Sequence, residues 1–345
     1  MGRILGLASQ MQMERLDPAD TEMVRACHQT YMAAQGTDDP AGTWMSLEVF
    51  RFWLNRGWDG RPRETWLTRG PDGTVAGCFL LELPDRENQA RAHLEPLLVH
   101  PALRRQGIGR ALLEHAVQRA SSAGRGVLTS APWDGSPGER FARQAGGTPV
   151  QAEVRRCLDL TAMPPLAGPQ ADAERGAAGY SLVSWAGPVP DEYLAGAAEL
   201  TTAMGDAPHS EDYEPTVWDA DRIRENINGI YAQAGLRGYA VAALHTGTDA
   251  HPGTGAMAAL TQTWVDPGVP GWALQGNTSV TRPHRGHRLG LLVKLAMLDK
   301  LTAAEPGITR IETWNAAANP HMIAINETLG FQVLPPSATE WELKL

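Results

Sequence analysis

The chain has 345 residues and a formal net charge of −9, with 43% hydrophobic and 20% charged residues. This length suits two domains of about 150 residues, each with its own core. The negative charge argues against a nucleic-acid partner, which requires a basic face. The sequence has no run of 18 apolar residues and no leader-like hydrophobic segment, and its three cysteines lack metal-site or disulfide-framework spacing. We therefore expect a cytoplasmic protein that does not enter membranes.

The first half of the chain predicts alternating strands and helices. Hydrophobic periodicity and turn residues divide it, in chain order, into a short strand at 11–16, helices at 17–35 and 47–54, a hairpin at 64–83, a strand at 93–99, a helix that ends at Gly124, a strand at 126–133 and a last helix that ends in glycine.

The same order of elements returns in the second half, after a Pro-, Gly- and Ala-rich stretch at 161–177 that we interpret as a linker. Its predicted elements are a strand at 180–185, helices at 190–204 and 219–234, a hairpin, a strand that ends at Val280, and a helix, a strand and a helix. Strands alternate with helices in both halves, which predicts two α/β domains with mixed sheets, at 8–160 and 178–345.

One motif occurs twice, 181 residues apart. Each copy has a strand that ends in valine (Val99, Val280), a turn that contains proline, and a basic loop with glycines (104–109, 285–290) that opens a helix. Backbone N–H groups and the positive end of the helix dipole converge at such a helix start, where they favour anionic oxygens. Neither loop is a Walker loop or a dinucleotide fingerprint. A capped helix with solvated arginines is the alternative for a single copy, and the duplication argues against it.

The first loop, RRQGIG at 104–109, resembles the acetyl-CoA pyrophosphate loop of the GNAT acetyltransferase superfamily. The second loop, HRGHRLG at 284–290, and the segment 313–331 resemble the second half of tandem GNAT proteins. The resemblance implies two GNAT-like domains, each with a sheet that splays between its fourth and fifth strands to admit the arm of acetyl-CoA or another acyl-CoA. Arg288 departs from the pattern, which has glycine there.

The resemblance also implies a set of cofactor-binding residues. These are Leu97, Leu98, Val99, Arg104, Arg105, Gln106, Gly107, Ile108, Gly109 and Arg110 in the first half, and Ser279, Val280, Arg285, Gly286, His287, Arg288, Leu289, Gly290, Asn319 and Asn326 in the second. Asn319 precedes a proline and is also a helix cap by type. We interpret His284 and His287 as phosphate or core contacts rather than catalysts.

Many GNAT enzymes carry a Glu on strand 5 and a Tyr on the next helix as base and acid. The aligned residues here are Ser130 and Ala142 in the first half, and Trp314 and Asn326 in the second. Neither half has the pair. The remaining candidates for catalysis are Glu95, four residues before Val99, and Glu312 on strand 5 of the second half. A solvated carboxylate at a strand edge is the alternative for Glu95.

An acidic loop at 205–215 predicts a cationic acceptor, because this loop lies over the acceptor cleft in the resembling family. The predicted acceptor-binding residues are Asp206, Glu211, Asp212, Glu214 and Asn277, with a merely solvated loop as the alternative. The hypothesis is an acyl-CoA-dependent N-acetyltransferase for a small amine, in secondary metabolism or antibiotic modification, with the chemistry in the second half. The alternative is a catalytically silent acyl-CoA-binding protein with a structural or sensing role.

Overall fold

The computed structural model describes residues 11–58, 60–206, 213–246 and 255–345. The chain forms two compact units. Unit 1 comprises residues 1–152 and 336–345, and unit 2 comprises residues 153–335. The units differ from the predicted ranges because the last ten residues belong to unit 1 and the segment 153–160 belongs to unit 2.

Unit 1 is a mixed sheet with helices on both faces. Its helices are α1 (Thr21–Asp38), α2 (Leu47–Asn55), α3 (Ile108–Ser122) and α4 (Pro137–Gln144). Its strands are β1 (Glu14–Arg15), β2 (Arg63–Arg69), β3 (Val75–Glu82), β4 (Arg91–Val99), β5 (Val127–Ser130) and the last strand of the chain, β13 (Ala338–Lys344).

The strands of unit 1 pair in the order β1-β2-β3-β4-β5-β13, and only β4 and β5 are parallel. One core lies between α1, α2 and the sheet, and it includes Tyr31, Phe50 and Leu80. A second core, with Phe79 and Leu112, lies under α3 on the other face. Strand β3 is buried on both faces, so its sequence is a continuous apolar run. This run is why the sequence predicts the hairpin.

Unit 2 repeats this architecture. Its helices are α5 (Ala167–Gly176), α6 (Leu194–Thr202), α7 (220–234, with a π-helical turn at Ile223–Ile227), α8 (Leu289–Ala304) and α9 (Pro320–Leu329). Its strands are β6 (Thr148–Asp159, which begins in unit 1), β7 (Tyr180–Ala186), β8 (Arg237–His245), β9 (Ala256–Val265), β10 (Trp272–Val280), β11 (Arg310–Ala316) and β12 (Gln332–Val333).

The strands of unit 2 pair in the order β7-β8-β9-β10-β11-β6, with β12 also on β6. Among the described strands of unit 2, only β10 and β11 are parallel to each other, as β4 and β5 are in unit 1. Two cores again cover the two faces, one with α8 and one with α6 and α7. The predicted mixed α/β sheet with flanking helices is thus confirmed in both halves.

Two elements were not expected from the sequence. The predicted linker 161–177 contains α5, whose Ala173 is fully buried. Strand β6 carries Arg155 and Arg156, which are 1% and 6% exposed, so its pattern does not alternate apolar and polar residues. Arg155 is tolerated there because it donates to the carbonyls of Leu334 and Pro335. None of the described helices has the length and apolar character to cross a bilayer.

Candidate acyl-CoA and acceptor sites

The two basic loops have the same backbone conformation. Left-handed φ angles occur at Arg105 (65°) and Gly107 (87°) in the first loop and at Gly286 (87°) and Arg288 (55°) in the second. These positions correspond at the 181-residue offset, so one glycine and one arginine have exchanged places. Both loops need a left-handed residue at this position, which is Gly107 in the first loop and Arg288 in the second. A non-glycine residue in this conformation costs about 1 kcal/mol.

The first arginine of each loop ties the loop to the preceding strand. Nε of Arg104 donates to the Val99 carbonyl at 3.2 Å, and Nε of Arg285 donates to the Val280 carbonyl at 3.3 Å. The guanidinium of Arg104 also forms two 2.7 Å hydrogen bonds with Asp38 on α1. We expected this guanidinium to bind pyrophosphate, and in the structure it is paired with Asp38.

The loops offer backbone N–H groups instead. Within the described part of the chain, no protein acceptor bonds the amides of residues 105–110 or 286–291, whereas the next amide in each helix is bonded, from Ala111 to Gly107 and from Leu292 to Arg288. A Cβ atom on Gly107 or Gly286 would have no neighbour within 4 Å, so the space before the amides is open. Unbonded amides at a helix start, facing open space, fit the pyrophosphate of an acyl-CoA.

The side chains of the second loop contact unit 2 itself. Arg288 lies beside Gly176 of α5, and its Nη1 is 4.0 Å from Asp172. His287 Nδ1 is 3.3 Å from the Gly176 carbonyl, and His284 Nδ1 is 2.8 Å from the hydroxyl of Tyr180. Burial, and then the neighbouring His245 and His287, lower the pKa of His284. The predicted linker segment therefore supports the second loop, and Arg288 is directed towards α5.

Each unit has a gap between its parallel strands. Pairing of β4 with β5 ends at His93 and Thr129, and pairing of β10 with β11 ends at Gln275 and Thr313. The later residues of β4 and β10, which include Leu97, Leu98, Val99, Ser279 and Val280, lie beyond the last pair. Such a divergence agrees with the splayed strands that the resemblance implies.

A β-bulge lies at the same place in both units. Residues 95–96 of β4 oppose a single residue of β3, and residues 276–277 of β10 oppose a single residue of β9. Bulges re-aim side chains and recur beside active sites. The first bulge contains Glu95, and the second contains Gly276 and the exposed Asn277.

The bulge of unit 1 carries one carboxylate, that of Glu95, and two more lie near it. The side chain of Glu95 is exposed to solvent. Loss of hydration, and then the charges of Glu82 and Glu340, raise the pKa of Glu95 to about 7. Glu82 is anchored by Arg63, whose Nη2 lies 2.6 Å from its Oε1. Glu95 is thus an accessible carboxylate whose pKa suits a general base near neutral pH.

The bulge of unit 2 is covered by aromatic rings. His93 in unit 1 and Leu274 in unit 2 are equivalent, because each lies six residues before the valine that ends its strand. The cross-strand partner of His93 is Glu82, and that of Leu274 is Trp264. Trp264 is therefore the counterpart of Glu82. A Cβ atom on Gly276 would overlap the Trp264 indole. The indole Nε1 donates to the Tyr231 hydroxyl at 3.3 Å. The indole therefore fills, in unit 2, the place that the Glu95 side chain takes in unit 1.

The other predicted catalytic residue, Glu312, is 7% exposed on β11. Its Oε1 accepts a 2.9 Å hydrogen bond from the Trp314 indole, and its Oε2 lies 3.7 Å from Nη1 of the buried Arg155. A carboxylate held in this way is part of a buried ion pair, and the catalytic role of Glu312 stays a prediction. The sequence alone did not reveal this, because the partner Arg155 comes from the unexpected strand β6.

The predicted asparagines also have defined partners. Oδ1 of Asn319 accepts from the Met322 amide and caps α9. Asn326 is fully buried, and it bonds Lys294 and Asn315. Asn326 is therefore enclosed rather than open to a ligand.

The predicted acidic acceptor loop is only partly described. Glu211, Asp212 and the side chain of Asp206 lie outside the described residues, and Glu214 is exposed. Their role as acceptor-binding residues stays a prediction. Among the residues that the structure describes, no group of three or more His, Cys, Asp or Glu side chains could hold a metal ion.

The sequence matches the acetyltransferase (GNAT) family over residues 25–134. The fold is similar to that of a tandem GNAT protein from the clavulanic acid biosynthesis pathway, solved without AcCoA, at 30% identity and a TM-score of 0.77, over 97% of this chain and 98% of that one. A GCN5-related N-acetyltransferase from Sphaerobacter thermophilus shares the fold at 18% identity and a TM-score of 0.64, over 97% and 95% of the two chains. No curated protein matches the sequence significantly. The duplicated loops, gaps and bulges and this similarity over nearly the whole length together show that the chain belongs to the GNAT acetyltransferase superfamily, as a tandem GNAT protein.

Proposed function

We propose that this protein is an acetyl-CoA-dependent N-acetyltransferase for a small amine, and that unit 1 carries the chemistry. The observation that supports this proposal most directly is the contrast between the two bulges. Unit 1 presents Glu95, with its pKa raised to about 7, where unit 2 has a glycine under an indole. This assignment differs from the expectation, based on the acidic loop and the asparagines, that the second half is catalytic.

Glu95 would remove the proton that blocks the acceptor. An alkyl ammonium with a pKa near 10 costs roughly 4 kcal/mol to deprotonate at pH 7. A carboxylate with a pKa of about 7 takes that proton, directly or through one water, far more readily than a carboxylate with the ordinary value of 4.5. The negative charges of Glu82 and Glu340 near Glu95 also favour a cationic acceptor over an anionic one.

Acetyl-CoA would supply an activated acetyl group at its thioester. Its pyrophosphate would bind the amides of residues 105–110, and its arm would lie in the gap between β4 and β5. In this arrangement the end of the arm would lie beside the bulge that carries Glu95. Arg104 contributes by fixing the loop through Asp38 and Val99 rather than by a direct phosphate contact.

Unit 2 would bind an acyl-CoA without transferring its acyl group. Its loop offers the same six amides, but Trp264 and Tyr231 fill the place of the acceptor. A catalytically silent, structural or sensing role is thus the second candidate, and the covered bulge favours it for unit 2 alone. The 30% identical relative belongs to clavulanic acid biosynthesis, which supports a place in secondary metabolism. The free thiols of Cys27, Cys78 and Cys157 support a reducing, cytoplasmic setting.

Steady-state thiol release from acetyl-CoA across a panel of primary amines tests this proposal. An enzyme releases thiol in proportion to one or more amines, and a purely sensing protein releases none above the amine-free rate. Asn277→Ala, in the bulge of unit 2, should leave turnover unchanged. Loss of turnover in that variant would return the chemistry to unit 2.

A further inference from the structure

Unit 2 contains a buried lysine that the proposed chemistry does not use. Lys294, on α8, is 3% exposed, and its Nζ donates to Oδ1 of Asn326 at 2.7 Å. Nδ2 of Asn326 in turn donates to Oδ1 of Asn315 at 2.6 Å. Burial alone lowers the pKa of Lys294 to about 7, with no contribution from a neighbouring titratable group. The centre of the Phe331 ring lies 5.1 Å from Nζ.

This chain of side chains has a fixed direction. Below its pKa of about 7 the lysine is an ammonium that only donates, so it holds the amide of Asn326 with its oxygen towards Nζ. The Nδ2 group of Asn326 then turns the oxygen of Asn315 inward. The Nδ2 group of Asn315 is left as the terminal donor, and no acceptor in the described part of the chain takes its hydrogens. Successive hydrogen bonds polarise one another, which strengthens this last donor.

The terminal donor lies where unit 2 opens. Pairing between β10 and β11 ends at Thr313, two residues before Asn315, and Asn315 is only partly buried. The second basic loop opens the same helix that carries Lys294, and Gly290 packs closely against Val280 and Ile325. A ligand with its anionic end on the loop amides and its arm in the gap would pass Asn315.

Unit 1 has none of the three residues. The aligned positions are Leu113, Ala131 and Ala142, which are all apolar. The chain of donors is thus a feature of unit 2 alone and is not required by the shared fold.

Building on the proposed binding of acyl-CoA to unit 2, we propose that Asn315 donates a hydrogen bond to a carbonyl oxygen of the acyl-CoA arm, and that Lys294 positions Asn315 through Asn326. Lys294 is then a positioning residue for a binding unit whose acceptor place is filled. Asn315 contributes the direct contact that was expected of Asn326.

Calorimetric titration of the full chain with acetyl-CoA tests this proposal. Gly107→Asp serves as the background, because a carboxylate among the amides of unit 1 should repel phosphate. The left-handed φ of 87° at this position disfavours a non-glycine residue, although no atom lies within 4 Å of an added Cβ. On this background, Lys294→Met and Asn315→Ala should each weaken binding between about threefold and tenfold, the range for one lost hydrogen bond. The double variant should bind acetyl-CoA as tightly as the single variant with the lower affinity, because both substitutions remove the same contact.

Three outcomes would overturn the proposal. They are an unchanged affinity in Lys294→Met, an unchanged affinity in Asn315→Ala, and losses that multiply in the double variant. Thermal unfolding of each variant identifies a folding defect, and Asn315→Ala keeps the test decisive if Lys294→Met fails to fold. Gly286→Asp, on the same background, should remove binding to unit 2. If Gly286→Asp removes binding but Lys294→Met or Asn315→Ala does not weaken it, this proposal fails and the proposed binding of acyl-CoA to unit 2 stands. If the Gly107→Asp protein binds no acetyl-CoA, the proposed binding to unit 2 fails as well.

Discussion

At the scale of single residues, Glu95 determines how activity should depend on pH. Its carboxylate must be ionised to accept a proton, and its pKa is about 7. We expect kcat/KM to rise with pH through about 7 as Glu95 ionises. Glu340→Gln removes one of the charges that raise this pKa, so the rising limb should move to lower pH. A limb that stays in place in Glu340→Gln would show that another group controls it.

The buried Lys294 leads to a second prediction, which concerns how the free energy of unfolding depends on pH. Its pKa falls from the ordinary 10.5 to about 7 on folding. Below pH 7 the lysine is charged in both states, and the folded state carries the full cost of burying that charge. Between pH 7 and 10.5 the unfolded state binds more protons, so the free energy of unfolding rises with pH, by about 1.4 kcal/mol for each pH unit.

Lys294→Met lacks this cost. The variant should therefore gain free energy of unfolding relative to wild type, most at pH 6 and least at pH 10. Denaturant unfolding at these two pH values measures the difference. An equal gain in the free energy of unfolding at pH 6 and pH 10 would mean that the buried charge of Lys294 does not destabilise the wild-type protein.

At the scale of elements, the covered bulge of unit 2 depends on Gly276. A methyl group there overlaps the Trp264 ring, and overpacking of this kind costs about 1–3 kcal/mol. Gly276→Ala should lower the free energy of unfolding by about that amount, and Trp264→Ala should reduce the penalty when combined with it. Gly307→Ala is the matched control, because a Cβ atom there meets nothing within 4 Å and should cost little. Equal effects of the two glycine substitutions would contradict the packing of Trp264 on the bulge.

The two loops show what a sequence pattern can predict. Within each loop, 104–109 and 285–290, the residues are consecutive in the chain, so the local conformation and the helix start follow from the spacing of glycine, arginine and proline. The ion pair of Arg104 with Asp38, and that of Glu312 with Arg155, join residues that are distant in sequence. The substitution of Trp264 and Gly276 for Glu82 and Glu95 also needs the strand register, which the sequence does not state. The sequence did not predict strand β6, because its two buried arginines, Arg155 and Arg156, break the apolar pattern of a buried strand.

At the scale of the whole molecule, the two units should bind acyl-CoA unequally. Both loops present six amides, but the units differ in the order of Gly and Arg and in the donors beside the gap. Titration of cofactor-stripped protein with acetyl-CoA should give two distinct dissociation constants, or a single occupied site. Two equal and independent sites would contradict the specialisation of the units.

The catalytic role of unit 1 is the central claim, and the most direct measurement is kcat for acetyl transfer in Glu95→Gln. Once thiol release has identified an accepted amine, Glu95→Gln should lower kcat at least about 100-fold, the lower range for loss of a general base. Its acetyl-CoA affinity should not change, because the loop amides and the gap are intact. Wild-type kcat in Glu95→Gln, together with loss of turnover in Asn277→Ala, would contradict the account and place the chemistry in unit 2.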